Sequence, residues 1–105
     1  MKESDIQKAI MDYLRLNGYF CNKFHTTGIY VRKRDTYMKN PNKGCPDILA
    51  FKKGFTNLAV ECKSDKGVQS DEQLEWGKRF EESGGIYILA RSLDDVEKVL
   101  KGVYN

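Results

Sequence analysis

The stretch GCPDILAFKKGFTNLAVECK, residues 44–63, contains two apolar segments separated by a short polar connection. DILAF and NLAVECK are typical of strands, and the five residues KKGFT between them predict a tight antiparallel connection. With 52–56 as the loop, the pair 51/57 leads inward to the pair 47/61, which places Asp47 opposite Glu61. The stretch therefore predicts a hairpin with one carboxylate on each strand.

Side chains alternate between the two faces of a strand, and the second strand divides accordingly. Leu58, Val60 and Cys62 share one face, which we expect to pack into a core with the Cys62 thiol directed inward. Glu61 and Lys63 share the other face, which we expect to be a surface. An isolated acid and lysine on a solvated sheet face form an ordinary ion pair, worth about 1 kcal/mol at most.

Asp47 gives this pair of charges a second interpretation. Two facing carboxylates repel each other and are costly to desolvate unless a cation lies between them. Oxygen ligands favour a hard ion such as Mg²⁺ or Mn²⁺, so we predict a metal site at Asp47 and Glu61. The main-chain carbonyl of Cys62 is a further candidate ligand. Lys63, beside the ion, can orient an attacking water and offset negative charge in the transition state.

The remaining elements follow from hydropathy periodicity and from turn residues. In chain order they are a helix around 6–14 that ends at Gly18, two strands in YFCNKF and IYVRKR that can form a hairpin, a loop in DTYMKNPNKGCP, the two strands described above, a helix over 70–83, the strand IYILA and a helix over 92–102. The predicted order is α-β-β-β-β-α-β-α. This is an α/β (α+β) architecture, a mixed sheet flanked by helices, in a single domain over 1–105.

Composition restricts the class of protein. A chain of 105 residues supports one modest core, and 40% apolar with 31% charged residues is typical of a folded protein. No apolar run approaches the roughly 20 residues that span a bilayer, and the first ten residues lack a signal-peptide core, so we expect a cytoplasmic protein without membrane association. The three cysteines are expected to be free thiols. The only Gly-Gly pair follows a helix, so no nucleotide cofactor is expected.

Positive charge is concentrated in the first half of the chain. Residues 1–52 contain ten Lys and Arg against five Asp and Glu, whereas 53–105 contain eight against ten. The excess lies in VRKRDTYMKNPNK, where basic residues alternate with tyrosines and suit a phosphate backbone with bases nearby. A solvated loop without a ligand explains the same charges. The candidate DNA-binding residues are Arg32, Lys33, Arg34, Lys39 and Lys43.

The pattern GCPD, thirteen residues, ECK and then SDEQLEW resembles the PD-(D/E)XK nuclease superfamily, and within it the VRR-NUC family of virus-type replication and repair nucleases. The resemblance covers nearly the whole chain. It implies a restriction-endonuclease-like core, divalent-metal-dependent hydrolysis of phosphodiester bonds and DNA as the substrate. The roles it implies are metal ligands for Asp47 and Glu61, the catalytic lysine for Lys63, a supporting residue for Gln73 and a first-helix acid for Glu3.

Two of these residues have a second interpretation. SDEQ at 70–73 is also a capping box, in which Gln73 reaches back to the main chain. SDIQ at 4–7 is a capping box as well, and if Ser4 caps the first helix, Glu3 falls outside it. In a continuous helix, Glu3 instead lies on the buried stripe.

Two functions from different classes remain open. The first is an endonuclease that recognises duplex or branched DNA by shape, because a domain this small has little surface for reading bases. Small members of the family resemble Holliday-junction resolvases, which make two coordinated cuts, so we expect a symmetric homodimer. The alternative is a non-catalytic DNA-binding module that retains the fold. No feature of the sequence separates DNA from RNA as the substrate.

Overall fold

The computed structural model describes residues 2–24, 29–31, 36–38 and 44–104, with side chains for 2–24 and 44–102. Its helices and strands, in chain order, are α1 (Glu3–Leu16), β1 (Phe20–Lys23), β2 (Ile29–Val31), β3 (Thr36–Met38), β4 (Ile48–Phe51), β5 (Leu58–Cys62), α2 (Asp71–Glu82), β6 (Ile86–Ala90) and α3 (Leu93–Tyr104). Among the residues described, no helix combines the length and the apolar character needed to cross a membrane.

Four of the strands form a mixed sheet in the order β1-β4-β5-β6. The pairs β1/β4 and β4/β5 are antiparallel, and the pair β5/β6 is parallel. A parallel pair requires a crossover connection, and α2 provides it. The predicted mixed sheet flanked by helices is therefore confirmed.

The hairpin of β4 and β5 has the predicted register. Ile48 pairs with Val60, and the next two pairs toward the turn follow the same register. Continued by one residue, it places Asp47 level with Glu61. The loop length read from the sequence was therefore sufficient to align the two carboxylates.

One face of the sheet packs against α1 and α3 and forms the core. Helix α1 contributes Ile6, Ile10 and Leu14, whose spacing of four residues places them on one side of the helix. Val60 and Cys62 of β5 are buried on this face, as predicted. Burial of such side chains is the main stabilising contribution to the fold.

The prediction that the other face of β5 is a surface is wrong. Ala59 and Glu61 are also buried, because α2 lies over this side of the sheet. Gly77 of α2 packs on the ring of Tyr87, so closely that a Cβ at position 77 would lie 2.9 Å from the ring. The absence of a side chain at Gly77 therefore lets α2 approach the sheet.

The first strands also pair differently from the prediction. Among the described residues, β1 pairs with β4, and β2 pairs with β3 in a separate two-stranded sheet, so these residues do not show the suggested hairpin of YFCNKF and IYVRKR. Residues 36–38, predicted as loop, form β3, because Thr, Tyr and Met tolerate an extended backbone and pair with 29–31. The observed order contains one more strand than predicted.

We expect Gly77→Ala to destabilise the protein by about 1–3 kcal/mol, because the added methyl group collides with the Tyr87 ring. Urea unfolding followed by circular dichroism measures the effect. Gly102→Ala in α3 is the matched control, since nothing lies within 4 Å of a Cβ at that position. The control should gain up to about 1 kcal/mol from helix propensity. Equal gains in both variants would contradict close packing at Gly77.

Candidate active site

Asp47 directly precedes β4, and Glu61 is the next-to-last residue of β5, so both carboxylates lie at the same end of the hairpin. Asp47 Oδ2 accepts a hydrogen bond of 2.7 Å from the main-chain N–H of Cys62. This bond fixes the Asp47 side chain against β5. Because the N–H and C=O of one strand residue point to the same side, the Cys62 carbonyl is also directed toward β4.

Glu61 is a buried carboxylate, only 2% exposed. Its Oε2 accepts a hydrogen bond of 3.2 Å from Gln73 Nε2 and lies 3.7 Å from the Lys63 ammonium nitrogen. Its Oε1 is buried and has no hydrogen-bond partner among the described residues. Leaving such an acceptor unsatisfied costs about 1–3 kcal/mol, so this oxygen is the natural place for an additional cation or donor.

The pKa of the Glu61 carboxyl is raised from its usual 4.5 to about 8. Burial is the largest cause, and the adjacent Asp47 is next, through its charge and through direct hydrogen bonding. Lys63 opposes this increase in the pKa, and Glu3 adds a smaller contribution to it. A carboxyl group with this pKa is mainly protonated at neutral pH.

Gln73 makes the helix-cap contacts and also contacts a carboxylate of the candidate site. Its Oε1 accepts a hydrogen bond of 2.8 Å from the Ser70 N–H, and Ser70 Oγ accepts one of 3.2 Å from the Gln73 N–H. The capping box at the start of α2 is therefore confirmed. Its Nε2 donates to Glu61 at the same time. The helix cap thus fixes the donor that orients the buried carboxylate.

Glu3 is the first residue of α1, whose N-cap is Lys2, so Ser4 does not cap this helix. Glu3 is exposed and is not part of the buried stripe of α1. The first turn of α1 lies beside the turn that follows β5. Glu3 Oε1 accepts a hydrogen bond of 3.3 Å from the Ser64 N–H. Together with its electrostatic effect on Glu61, this contact places Glu3 at the rim of the site.

Lys63 follows β5, and its side chain is 17% exposed. As predicted, it shares a side of the strand with Glu61, and its ammonium group lies against that carboxylate. The Cys62 thiol is buried on the core side, and burial, followed by Asp47 and Glu61, raises its pKa to about 12. A thiol with such a pKa is not a nucleophile at neutral pH.

Gly44, the first residue of GCPD, brings α2 to the carboxylates. Its φ of +86° lies in the left-handed region that favours glycine. A side chain there would also collide with the main chain of Glu72 in the first turn of α2. The segment that leads to Asp47 therefore packs directly on the helix that carries Gln73.

One part of the sequence prediction lies outside the described residues, and one contact at the site was not predicted. The part outside is the set of candidate DNA-binding residues, Arg32, Lys33, Arg34, Lys39 and Lys43. Sequence reasoning missed the Cys62 N–H as the partner of Asp47. Every non-proline residue carries such a donor, so no residue type marks it in a sequence.

The donors at the site fit a hard divalent ion. Within the described residues, no group of three or more His, Cys, Asp or Glu side chains is arranged to hold a metal ion. The candidate ligands are instead two carboxylates, Asp47 and Glu61, and the Cys62 carbonyl, all of them oxygen donors. Mg²⁺ commonly takes one or two carboxylates and keeps several waters. Glu61 Oε1, which has no hydrogen-bond partner among the described residues, and the raised pKa of Glu61 both mark the position where positive charge is lacking.

Comparison with known proteins supports the architecture. No family model matches the chain, and no curated protein matches its sequence. Among solved structures, a VRR_NUC domain superposes with a TM-score of 0.69 over 97% of each chain, at 21% sequence identity. The sheet and helices therefore share the architecture of this domain. That fold is the VRR_NUC fold, which confirms the predicted resemblance at the level of architecture.

Glu61→Gln tests the raised pKa. Because the folded protein holds this proton more tightly than the unfolded chain, the contribution of Glu61 to stability is fully present below pH 4.5 and is lost as the pH rises through about 8. Gln mimics the protonated acid, so the variant should have the higher Tm above pH 8, with the difference shrinking toward pH 4.5.

Thermal unfolding in a chelator, followed across this pH range, provides the measurement. Glu75→Gln is the matched control, because Glu75 is an exposed acid on α2 that pairs with Arg79. Its Tm difference from wild type should not follow the same pH course. A Glu61→Gln protein that is less stable than wild type above pH 8 would contradict the assignment.

Proposed function

We propose that the protein is a divalent-metal-dependent DNA endonuclease that hydrolyses phosphodiester bonds. The observation that carries this proposal is the buried Glu61 beside the half-buried Asp47, with one Glu61 oxygen that has no partner among the described residues, in a VRR_NUC fold. Buried like charges destabilise a protein unless they are compensated. Their occurrence beside a lysine and a positioned amide is therefore better explained by function than by stability.

The ligands of the ion would be Asp47, Glu61 and the Cys62 carbonyl. When bound, Mg²⁺ or Mn²⁺ supplies positive charge that polarises the phosphate and stabilises the leaving oxygen. Gln73 holds Glu61 in place through its amide, and the Cys62 N–H holds Asp47. These contacts mean that the ligands need little reorganisation when the ion binds.

Lys63 is the group that we propose to act on the reacting atoms. Its ammonium nitrogen lies 3.7 Å from Glu61 Oε2, and its side chain is partly accessible to solvent. From this position it can donate hydrogen bonds to the attacking water and to a non-bridging phosphate oxygen. As the new P–O bond forms and the bond to the 3′-oxygen breaks, the fixed positive charge offsets the negative charge that develops.

We further propose branched or duplex DNA as the substrate and a symmetric homodimer as the active form. The small size of the chain supports recognition of shape, since phosphate contacts give orientation without a large base-reading surface. Two coordinated cuts at a four-way junction require two active sites related by symmetry.

The second candidate is a DNA-binding module without catalysis. One observation favours it, because Asp47 Oδ2 and Glu61 Oε2 already have hydrogen-bond donors from the chain itself. In that case the two acids take part only in structure.

Cleavage of labelled DNA tests the first candidate. Wild type with Mg²⁺ or Mn²⁺ should cut a four-way junction or a duplex, and a chelator should abolish cutting. Glu61→Gln and Lys63→Ala should each lower the rate by about 100-fold or more, because the first removes an anionic ligand of the ion and the second removes positive charge at the reacting phosphate. Lys98→Ala, which removes an exposed lysine on α3, should retain the wild-type rate.

The same assay with RNA of matched sequence decides the nucleic acid. Absence of cleavage by wild type on every substrate, or undiminished cleavage by the Glu61 and Lys63 variants, would contradict an endonuclease.

Calorimetric titration with Mn²⁺ separates the two candidates without an activity assay. Wild type should bind the ion, and Asp47→Asn should lose the binding heat because an anionic ligand is removed. Lys63→Ala should still bind, since this residue is proposed to act on substrate and not to ligate. Wild-type protein that gives no heat would favour the non-catalytic module.

A further inference from the structure

The turn over 64–67 follows Lys63 directly and contacts two of the candidate active-site side chains. The Ser64 N–H donates to Glu3 Oε1 at 3.3 Å. Gly67 lies against the aliphatic part of Lys63, since a Cβ on Gly67 would be 3.2 Å from Lys63 Cδ. The Gly67 N–H donates to the Ser64 carbonyl at 3.0 Å and closes the turn. The position of this turn therefore sets the positions of both Lys63 and Glu3.

Arg91 binds the carbonyls of this turn. Its Nη1 donates to the Ser64 carbonyl at 2.6 Å, to the Gly67 carbonyl at 2.9 Å and to the Asp65 carbonyl at 3.3 Å. Carbonyl oxygens that converge on one point create a negative potential, which the guanidinium group offsets. Hydrogen bonds from a charged donor are about twice as strong as neutral ones. Arg91 is therefore the principal side-chain contact of the turn within the described part of the chain.

The main chain at Arg91 is itself anchored on two sides. Its N–H donates to Asp95 Oδ2 at 2.8 Å, in the first turn of α3. The preceding carbonyl, that of Ala90, accepts a hydrogen bond of 3.0 Å from the Lys63 N–H. The Arg91 side chain thus extends from the junction of β6 and α3 to the turn. It restrains the turn, and with it Lys63, relative to that junction.

We propose that Arg91 is a positioning residue for the hydrolytic reaction. By holding the turn over 64–67, it keeps the Lys63 ammonium and the Glu3 carboxylate in the geometry that catalysis requires. The inference rests on the proposed endonuclease function and extends it to a residue outside the ligand set. A displacement of about 1 Å in a catalytic group can lower a rate by about 100-fold, so loss of this restraint has a measurable effect.

The steady-state kinetics of Arg91→Gln and Arg91→Lys give the first test. Arg91→Gln should lower kcat by about 10- to 100-fold. Its KM for DNA should change less than about twofold, because uniform binding of substrate is not altered. Its binding of Mn²⁺ should match wild type, since Asp47 and Glu61 are unchanged. Arg91→Lys keeps the charge but lacks the planar fork, so it should recover only part of kcat.

Leu100→Ala controls for a loss of stability alone. Leu100 is 8% exposed in the core, at the part of α3 remote from Arg91 in sequence. This variant should lose as much Tm as Arg91→Gln or more, and it should keep the wild-type kcat. An equal fall of kcat in both variants would overturn a specific positioning role for Arg91.

Amide hydrogen exchange tests the turn independently of cleavage. In Arg91→Gln, the Ser64 and Gly67 amides should exchange at least about tenfold faster, because the turn opens more often. The Ile86 amide, bonded to the Asn57 carbonyl at the far end of β6, should exchange at the wild-type rate.

The outcomes separate this inference from the proposed function. Faster exchange in the turn together with a lower kcat supports the inference. An active wild type with unchanged kcat in Arg91→Gln, or unchanged exchange of the turn, overturns the inference alone. A wild type that cleaves no nucleic acid overturns the proposed function, and the catalytic consequence of Arg91 with it.

Discussion

Burial of Glu61 beside Asp47 is the constraint on which the site depends. Removal of a carboxylate from water is costly, and a second carboxylate next to it increases the cost. Here burial, followed by the neighbouring Asp47, raises the pKa of Glu61 to about 8. Such an arrangement is unfavourable at neutral pH, and it persists because the hairpin register and α2 hold both groups in place. Natural sites commonly retain local instability of this kind where it is needed for function.

The site is assembled from main-chain positions that the fold determines. The hairpin supplies Asp47 and Glu61, the cap of α2 supplies Gln73, and the start of α1 supplies Glu3. The Cys62 N–H and the turn after Lys63 add main-chain contacts that restrict these side chains. These side chains thus lie near the ends of helices and strands, and hydrogen bonds to other parts of the chain hold them in place relative to one another.

Local signals in the sequence were sufficient for the parts of the site that depend on short-range structure. The five-residue connection determined the register of β4 and β5, and the pattern SDEQ determined the cap of α2. Gln73 shows the limit of such reasoning, since the helix cap and a place in the site were weighed as alternatives, whereas one amide makes both contacts. The amide oxygen of Gln73 makes the cap, and its NH₂ group remains free to donate elsewhere. Only the position of α2 over the sheet brings that NH₂ group to Glu61.

Long-range packing accounts for the wrong predictions. The burial of Glu61 depends on α2 lying over the sheet, and the partner of β1 is distant in sequence, so neither follows from local pattern. Arg91 was not recognised as part of the site because its acceptors are main-chain carbonyls, which every residue carries. A sequence pattern therefore reveals residues proposed to act on substrate more readily than it reveals residues that hold those residues in position.

The central claim is that positive charge from a divalent ion completes the pair of carboxylates. Anomalous diffraction from a crystal soaked in Mn²⁺ tests it most directly. The account predicts a peak in contact with both Asp47 and Glu61, at Glu61 Oε1, the oxygen that has no hydrogen-bond partner among the described residues. A crystal soaked to saturation in Mn²⁺ that shows no peak at these two carboxyl groups would contradict it.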